Sequence, residues 1–223
     1  MGKIGKNSFD IQESNRVSVL RILSKEDVLT RADLSRMTGL KQATITNIIN
    51  DLLSSGVVSE TGTLKGNLGR RSIGIRLNAE NFNVVGIKIA RRSYSVGIFN
   101  IKNQLLDKTY QKLEPSTGAS AVLQSLVADA RRLIDKYGSC CAIGVAVPGP
   151  YLRREGRIAV MTEFVGWEKI DIYKKLSDAF EQPVFVEHDA NAGALGEWNC
   201  SANIGSDDVL VHLLASEGIG SGV

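Results

Sequence analysis

Residues 41–56 read KQATITNIINDLLSSG and carry the clearest hydrophobic periodicity in the chain. Their apolar side chains recur at positions i, i+3, i+4, i+7 and i+8, which is the spacing of one buried stripe on an α-helix. Gly56 follows directly and supplies the stop signal of such a helix. The segment therefore predicts an amphipathic helix that buries a single apolar stripe, made of Ile45, Ile48, Ile49, Leu52 and Leu53.

The opposite face of this helix carries small or hydrogen-bonding side chains rather than the usual mixture of Glu and Lys. Asn and Gln match the edge of adenine in the DNA major groove, and the methyl group of Thr meets the methyl group of thymine. We therefore predict that this face reads base edges, with contacts from Lys41, Gln42, Ala43, Thr44, Thr46, Asn47 and Asn50.

Two shorter helices are predicted before it. Apolar residues have helical spacing within residues 15–23. Thr30 and Asp33 have the form of a capping box, which begins a second helix, and Gly39 permits the left-handed turn that ends it. Two helices joined by a tight glycine turn, the second with a polar reading face, predict a helix-turn-helix.

The residues after this helix predict a wing. Residues 57–60 and 73–77 read as two strands, and a glycine-rich hairpin with cations contacts phosphates or reaches a minor groove. An alternative is a three-helix interaction module with a solvated basic loop. The loop between the strands contains Gly62, Lys65, Gly66, Gly69, Arg70 and Arg71.

Charge divides the chain into two parts. Residues 1–78 hold 12 basic and 7 acidic side chains, a net charge of +5, whereas residues 79–223 hold 15 and 17, a net charge of −2. A basic small domain beside a slightly acidic larger one favours nucleic acid as the partner of the first. We predict a DNA-binding domain over 1–78 and a second domain over 79–223.

Other classes are excluded by pattern. No apolar run approaches the length of a membrane span, and the first residues lack a signal-peptide core. The three cysteines argue against a disulfide framework and suit a reducing compartment. The two histidines have no paired cysteine spacing that would indicate zinc. We therefore expect a cytoplasmic protein that holds no metal and contacts no membrane.

The second domain reads as α/β. Three short strands are followed by helices that alternate with strands, a pattern that implies a mixed sheet covered by helices. Asp189 is placed to be the N-cap of one of these helices. The predicted strands cover 84–89, 94–100, 104–110 and the stretches CAIGVAV, PVFVEHD and DVLVHLLA; the predicted helices cover 122–134, 172–180 and 190–198.

The motif order resembles the ROK family of sugar kinases and sugar-responsive repressors. A winged helix-turn-helix is followed by GIKIARRSYSVGIFN, IGVAVPGP, FVGW, HDANAGALGEW and EGIGSGV. The resemblance implies that residues 79–223 form the N-terminal portion of an actin-like (ribonuclease H-like) ATPase fold, an incomplete ROK sugar-binding domain behind a repressor's DNA-binding domain.

The resemblance also implies a sugar site. Asp189 falls on the family's catalytic base and His188 on a neighbouring sugar contact, while Gly149 falls on a turn that lines the site. Glu163 stands where many members have a sugar-binding Asn, so the ligand can differ. Asp189 alternatively serves only as an N-cap, and both roles can coexist.

Both phosphate-binding elements depart from the kinase pattern. Where family kinases have an Asp-x-Gly-Gly-Thr loop, this chain has Lys88 for the acid, Ala90 and Arg91 for the glycines, and Arg92 for the Thr. Glu217 brings a negative charge into the second element. We therefore predict that the chain is not an enzyme. Surface solvation is the favoured role of Arg91 and Arg92, and the alternative of an anionic ligand, a sugar phosphate or an unusual nucleotide, stays open.

The chain ends at Val223, within the second phosphate element. The family's second lobe and zinc motif would lie beyond it, so we expect no cofactor in this chain, which is either a fragment or a natural truncation. A strand left at an uncovered sheet edge is an association hazard, which favours the fragment.

The leading hypothesis is a transcriptional repressor of sugar-utilisation genes, with xylose or a glucose-like sugar as the expected effector. Its partners are operator DNA, a monosaccharide and, at full length, a second copy in a homodimer. One alternative is a ROK-type kinase that phosphorylates a hexose with ATP and carries a DNA-binding domain. Another is a DNA-binding protein whose ROK portion serves only for dimerisation.

Overall fold

The structure is a computed structural model, and it divides into two compact units, Met1–Asn81 and Phe82–Val223. Each unit has its own buried core. The residues that the structure describes are 8–65, 71–114, 116–159, 166–201, 208–216 and 218–223.

The first unit is a winged helix-turn-helix, as predicted. Three helices precede a hairpin, and a short third strand adds to it in the antiparallel order β1-β3-β2. The helices are α1 (Ser8–Lys25), α2 (Arg31–Thr38) and α3 (Gln42–Ser54), and the strands are β1 (Leu29–Thr30), β2 (Val58–Lys65) and β3 (Arg71–Leu77).

The ends of α2 are the ones that the sequence predicts. The Asp33 amide donates to Thr30 Oγ1 at 3.1 Å, and the Thr30 amide donates to Asp33 Oδ2 at 3.2 Å. The hydrogen bond from the Thr30 side chain lowers the pKa of Asp33, with further help from Arg36. Gly39 ends the helix with φ of 71°. The capping box and the glycine stop are both confirmed.

The predicted stripe of α3 forms the centre of the first unit's core. Ile45 and Ile49 are completely buried, Ile48 and Leu52 are nearly so, and Leu53 is half-buried. The remaining core residues come from the other elements of this unit, so the stripe anchors the helix and leaves its polar face at the surface; they include Val19, Leu23, Leu34, Val58 and Ile75.

The wing differs from the prediction in length. β2 and β3 continue well beyond their apolar residues, so Gly62, Lys65 and Arg71 lie in strands rather than in a loop. The pairing shifts register between Glu60 and Thr63. A bulge of this kind lets a hairpin continue past residues that break the alternating pattern, because backbone pairing does not depend on side-chain type.

The second unit is built on a five-stranded mixed sheet in the order β10-β7-β4-β5-β6. Strands β4, β7 and β10 are parallel to one another, while β5 is antiparallel to both β4 and β6. The expected α/β fold is confirmed. The strands are β4 (Asn83–Ala90), β5 (Ser93–Asn100), β6 (Leu105–Lys112), β7 (Cys140–Val147) and β10 (Val184–His188).

Helices and two small hairpins complete this unit. α4 (Ala119–Tyr137) packs its apolar face on the sheet, where Leu126, Ala130 and Leu133 are completely buried. The hairpins are formed by β8 (Tyr151–Leu152) with β9 (Arg157–Ile158) and by β11 (His212–Ala215) with β12 (Ile219–Gly222). The other helical elements are a 3-10 turn (Trp167–Lys169), α5 (Ile172–Ala179) and α6 (Asp189–Cys200).

Two predictions in this unit are corrected. Asp189 is the first residue of α6 and His188 is its N-cap, which makes no side-chain cap bond. The predicted strand over DVLVHLLA begins only at His212 and belongs to a separate hairpin. Apolar composition alone made it look like a sheet strand, but its pairing partner is the glycine-rich segment that follows it.

Within the described parts of the chain, no helix combines the length and the apolar character that crossing a membrane requires.

Candidate functional site

The exposed face of α3 is the first candidate site. Lys41, Gln42, Ala43, Asn47 and Asn50 are exposed, whereas Thr44 and Thr46 are half-buried. The Thr46 hydroxyl donates to the Gln42 carbonyl at 2.9 Å, so its proton is used within the helix and its lone pairs and methyl group remain. The predicted reading residues thus lie on one helix, opposite its buried stripe.

The N-terminus of α3 is also suited to an anion. Lys41 is the N-cap with extended backbone (φ −63°, ψ 146°) and makes no side-chain cap bond, and the first turn contains no acidic residue. The first N–H groups of a helix and its macrodipole favour negative charge. A phosphate beside Lys41 would receive both the lysine charge and these amides.

The predicted wing cations fall at the edge of the described structure. Lys65 and Arg71 are paired residues at the far ends of β2 and β3. Their side chains and all of Arg70 lie outside the described residues, so their contacts remain predictions.

The second candidate site is a cleft of about 960 Å³ in the second unit. It lies at the carboxyl ends of the three parallel strands, where open α/β sheets bind ligands. β4 is followed by Arg91, β7 by Pro148 and Gly149, and β10 by Asp189, and all four residues line the cleft. The other lining side chains with polar or charged groups are Lys88, Ser93, Ser95, Lys108, Tyr110, Tyr151, Arg153, Glu187, His188, Asn191, Ser216 and Ser221.

Gly149, His188 and Asp189 are brought together in this cleft. A Cβ atom added at Gly149 would overlap the His188 imidazole, so only glycine permits this approach. His188 Nε2 lies 3.2 Å from Asp189 Oδ1, which also accepts the Ala190 amide at 2.8 Å. Within the described structure no hydrogen bond reaches Asp189 Oδ2. This oxygen is available to a ligand hydroxyl, and the Asp189 side chain is only 14% exposed.

Glu187 is a cleft residue that sequence reasoning missed. Its carboxylate accepts the His188 amide at 2.9 Å and Asn191 Nδ2 at 3.1 Å, and it pairs with Arg153 from the hairpin after β7. Burial raises the pKa of Glu187, but the donors from Asn191, the His188 amide and Arg153 outweigh it and hold the pKa below its usual value. The sequence signal that could have identified Glu187 is its position as a charged residue at the end of an apolar strand.

Three further cations line the cleft. Lys88 sits on β4 between Ser95 of β5 and Ala146 of β7, and Arg91 lies in the turn between β4 and β5, close to Gly218. Lys108 comes from β6. The sequence did not indicate Lys108, because only strand pairing brings it to the site.

Two predicted residues lie outside the described structure, Glu163 and Glu217. Among the residues that are described, no three His, Cys, Asp or Glu side chains converge to hold a metal ion.

Comparison with known proteins divides the chain in the same order. The model described as "Winged helix-turn-helix DNA-binding" matches residues 13–59, and the ROK family model matches residues 84–223. The xylose repressor of Bacillus subtilis is 28% identical over 218 residues, which cover 96% of this chain and 56% of that protein.

Two solved structures are also similar. A ROK family transcriptional regulator described as a homologue of the E. coli Mlc protein matches with a TM-score of 0.71 and 22% identity, over 95% of this chain and 54% of its own. A ROK hexokinase from Thermus thermophilus matches with a TM-score of 0.54 and 32% identity, over 63% and 46%. The chain therefore spans about half the length of the relatives that it matches.

Proposed function

The chain belongs to the ROK family, and from this membership we propose that it is a DNA-binding repressor of sugar-utilisation genes whose operator binding responds to a sugar. One observation carries the proposal: the same chain contains two sites. One is a winged helix-turn-helix whose polar α3 face is exposed, and the other is a cleft in which Asp189 Oδ2 is available to a ligand. The similarity to the xylose repressor over 96% of the chain supports this combination.

DNA recognition is assigned to α3 and the wing. The exposed Gln42, Asn47 and Asn50 offer both donors and acceptors to base edges. Lys41 and the α3 N-terminus position a phosphate, and the wing cations add sequence-independent attraction. DNA can contact this face without a rearrangement of the core, because the buried stripe lies on the other side of α3.

Sugar recognition is assigned to Asp189, His188 and Gly149. Asp189 Oδ2 accepts a hydroxyl of the sugar, as a partly buried carboxylate does well. His188 offers an imidazole whose position is set by its contact with Gly149. The predicted sugar contact at Glu163 belongs to the same proposal.

The cleft serves sensing rather than phosphoryl transfer. Phosphoryl transfer requires a metal ion held near the phosphates to neutralise the developing charge. Lys88 occupies the position that an acid holds in family kinases, and the residues that follow it are Ala90 and Arg91 instead of the glycines and Arg92 instead of the Thr. Among the described residues, the side chains around the cleft thus lack the carboxylate arrangement for that metal.

The two functions are coupled through a two-state equilibrium. A sugar that binds one conformation of the full-length homodimer better than another changes its affinity for a two-fold symmetric operator. The full-length repressor would act in the cytoplasm without contacting a membrane, and the described part of this chain would hold no cofactor.

Selection from random DNA followed by affinity measurement tests the proposal. We expect one enriched sequence, whose preference over random DNA falls by about 1–3 kcal/mol when Asn47 or Asn50 is replaced by Ala. Ser54→Ala, at the far end of α3, is the matched control. No enrichment, or equal losses on specific and random DNA, contradicts the proposal.

A kinase is the second candidate, because the hexokinase from Thermus thermophilus is 32% identical over the cleft-bearing part and Asp189 has an available oxygen. Sugar-dependent ATP hydrolysis with magnesium discriminates the two. We expect none above the level of Asp189→Asn. Hydrolysis that depends on Asp189, without an operator preference, would establish the kinase instead.

A further inference from the structure

The charge of the cleft is opposite to that of the segment that forms it. Residues 79–223 carry a net charge of −2. The described lining of the cleft nevertheless contains four cations against two carboxylates, Glu187 and Asp189. A concentration of one charge in a concave site raises the local concentration of oppositely charged ligands. The cations are Lys88, Arg91, Lys108 and Arg153.

Glu187 neutralises Arg153, and neither carboxylate pairs with the other three cations. Glu187 is already occupied by Arg153, Asn191 and the His188 amide. Asp189 makes its contacts to His188 and to the start of α6. Within the described residues, Lys88, Arg91 and Lys108 have no ion pair, and Glu187 lies in the same row of the sheet as Lys88 with Ala146 between them.

Sheet register explains how these cations share one space. Lys88 pairs with Ser95, and Lys108 pairs with Gly97, which in turn pairs with Gly86. The space beside these two glycines is occupied by the Phe99 ring and, at Gly97, also by Leu105. Hydroxyl groups accompany the cations, from Ser93, Ser95, Ser216 and Ser221.

The cleft therefore offers two kinds of polar group. One is the acceptor Asp189 Oδ2, which suits a hydroxyl. The other is the set of lysine, arginine and serine donors, which suit an oxyanion. The volume of about 960 Å³ lies within the roughly 300–1,000 Å³ typical of small-molecule sites.

We infer that the ligand of this cleft is a monosaccharide derivative bearing an oxyanion, a phosphate ester or a carboxylate, with a hydroxyl on Asp189 and the oxyanion on Lys88, Arg91 and Lys108. The inference rests on the proposed function, because it names the class of effector for the same sensing site. It assigns Lys88 and Lys108 a role in choosing between charged and neutral sugars.

Titration calorimetry with matched probes tests this assignment on the purified protein. The probes are glucose, glucose 6-phosphate, gluconate, xylose, xylonate and inorganic phosphate. We expect at least one charged sugar to bind about tenfold or more tightly than its neutral parent, as charge-assisted hydrogen bonds imply. The response to phosphate esters or to sugar acids tells which source supplies the oxyanion.

Three variants locate the preference. Lys88→Met and Lys108→Met should each reduce the affinity for the charged probe by about tenfold, while leaving affinity for the neutral parent and the thermal unfolding midpoint unchanged. Lys175→Met removes an equal charge from the exposed surface of α5 and should change neither affinity. Two independent variants keep the test valid if one of them folds poorly.

The outcomes separate this inference from the proposed function. Neutral sugars that bind as tightly as their charged partners, inorganic phosphate that binds as tightly as any sugar, or the absence of heat with every probe would each overturn the inference. Neutral sugars that also shift DNA affinity would leave the proposed function standing. Charged sugars that bind through Lys88 without any effect on DNA would support the inference and contradict the proposed function.

Discussion

The contact between Gly149 and His188 shows how one missing side chain shapes the cleft. Gly149 ends the turn after β7, and the imidazole of His188 occupies the space where its Cβ would be. Gly144, within β7 itself, has no atom within 4 Å of its hypothetical Cβ. The packing around Gly149 therefore requires a glycine, whereas the packing around Gly144 leaves room for a larger side chain.

Gly149→Ala should displace His188, and it should lower the free energy of unfolding of the second unit by less than the about 1–3 kcal/mol of overpacking in a closed core, because the imidazole borders the open cleft. Sugar affinity should fall with it, because His188 and Asp189 are in contact. Gly144→Ala is the control and should leave both quantities near those of the parent. Urea unfolding monitored at the tryptophans, with sugar titration, measures the effects; equal behaviour of the two variants would refute the role of Gly149.

Glu187 makes stability depend on pH. The folded state lowers its pKa from 4.5, so its ionised form stabilises the fold above the unfolded pKa, and that stabilisation is lost as pH falls through the lowered folded value. We expect the unfolding midpoint of the parent to exceed that of Glu187→Gln at pH 7, with a difference that shrinks below about pH 4.5. Glu181→Gln, at an exposed turn, should show no such trend, and a difference that grows on acidification would contradict the assignment.

At the scale of elements, local signals and tertiary packing cooperate in the first unit. The capping box and Gly39 set the ends of α2 by interactions within a few residues. The N-cap of α3 lacks such a side-chain bond, so this helix depends on its buried stripe. That arrangement leaves the amides of the first turn of α3 available to an external anion.

Thr30→Ala should weaken α2 by about 1 kcal/mol, because the hydroxyl accepts the Asp33 amide. Thr30→Ser retains the hydroxyl and is the matched control. Hydrogen exchange of the α2 amides resolves the change within this unit. Equal exchange in both variants would mean that the capping box does not stabilise the helix.

Lys41→Gln should reduce the slope of log affinity against log salt by about one on any DNA sequence, since one phosphate contact is lost. Sequence preference should persist, because base edges are read further along α3. Lys175→Gln, on the second unit, removes the same charge and should leave the slope unchanged. A selective loss on the preferred sequence alone would instead place Lys41 at a base.

At the scale of the whole molecule, the division of charge follows the two proposed functions. The basic excess lies in residues 1–78, and the excess of acid in residues 79–223. Each unit buries its own apolar residues, with Ile45 and Ile49 central to one and Ile143 and Leu126 to the other. The proposed DNA-binding and sugar-binding sites thus rest on separate cores.

A fragment of residues 1–81 should therefore fold cooperatively and bind DNA, while a sugar that shifts the affinity of the parent protein should have no effect on it. Circular dichroism and DNA titration with and without the sugar measure this. A fragment that is unfolded would show that the first unit depends on the second for stability. A retained sugar response would place the sensor outside the cleft.

The sequence by itself determined the elements whose signals are local. The stripe of α3, the capping box at Thr30 and the stop at Gly39 involve residues a few positions apart, so periodicity and capping chemistry identify them. Charge and motif order likewise indicated a DNA-binding unit before an α/β unit.

Only the tertiary structure decided the cleft. Lys88, Lys108, Arg153 and Glu187 are separated by up to about a hundred positions, and strand pairing and the β8–β9 hairpin bring them to one space. The extension of the wing, the short β11 and the one-residue shift of Asp189 from N-cap to first helical turn have the same origin. Backbone pairing and close packing are set by partners distant in the chain, and no local pattern records them.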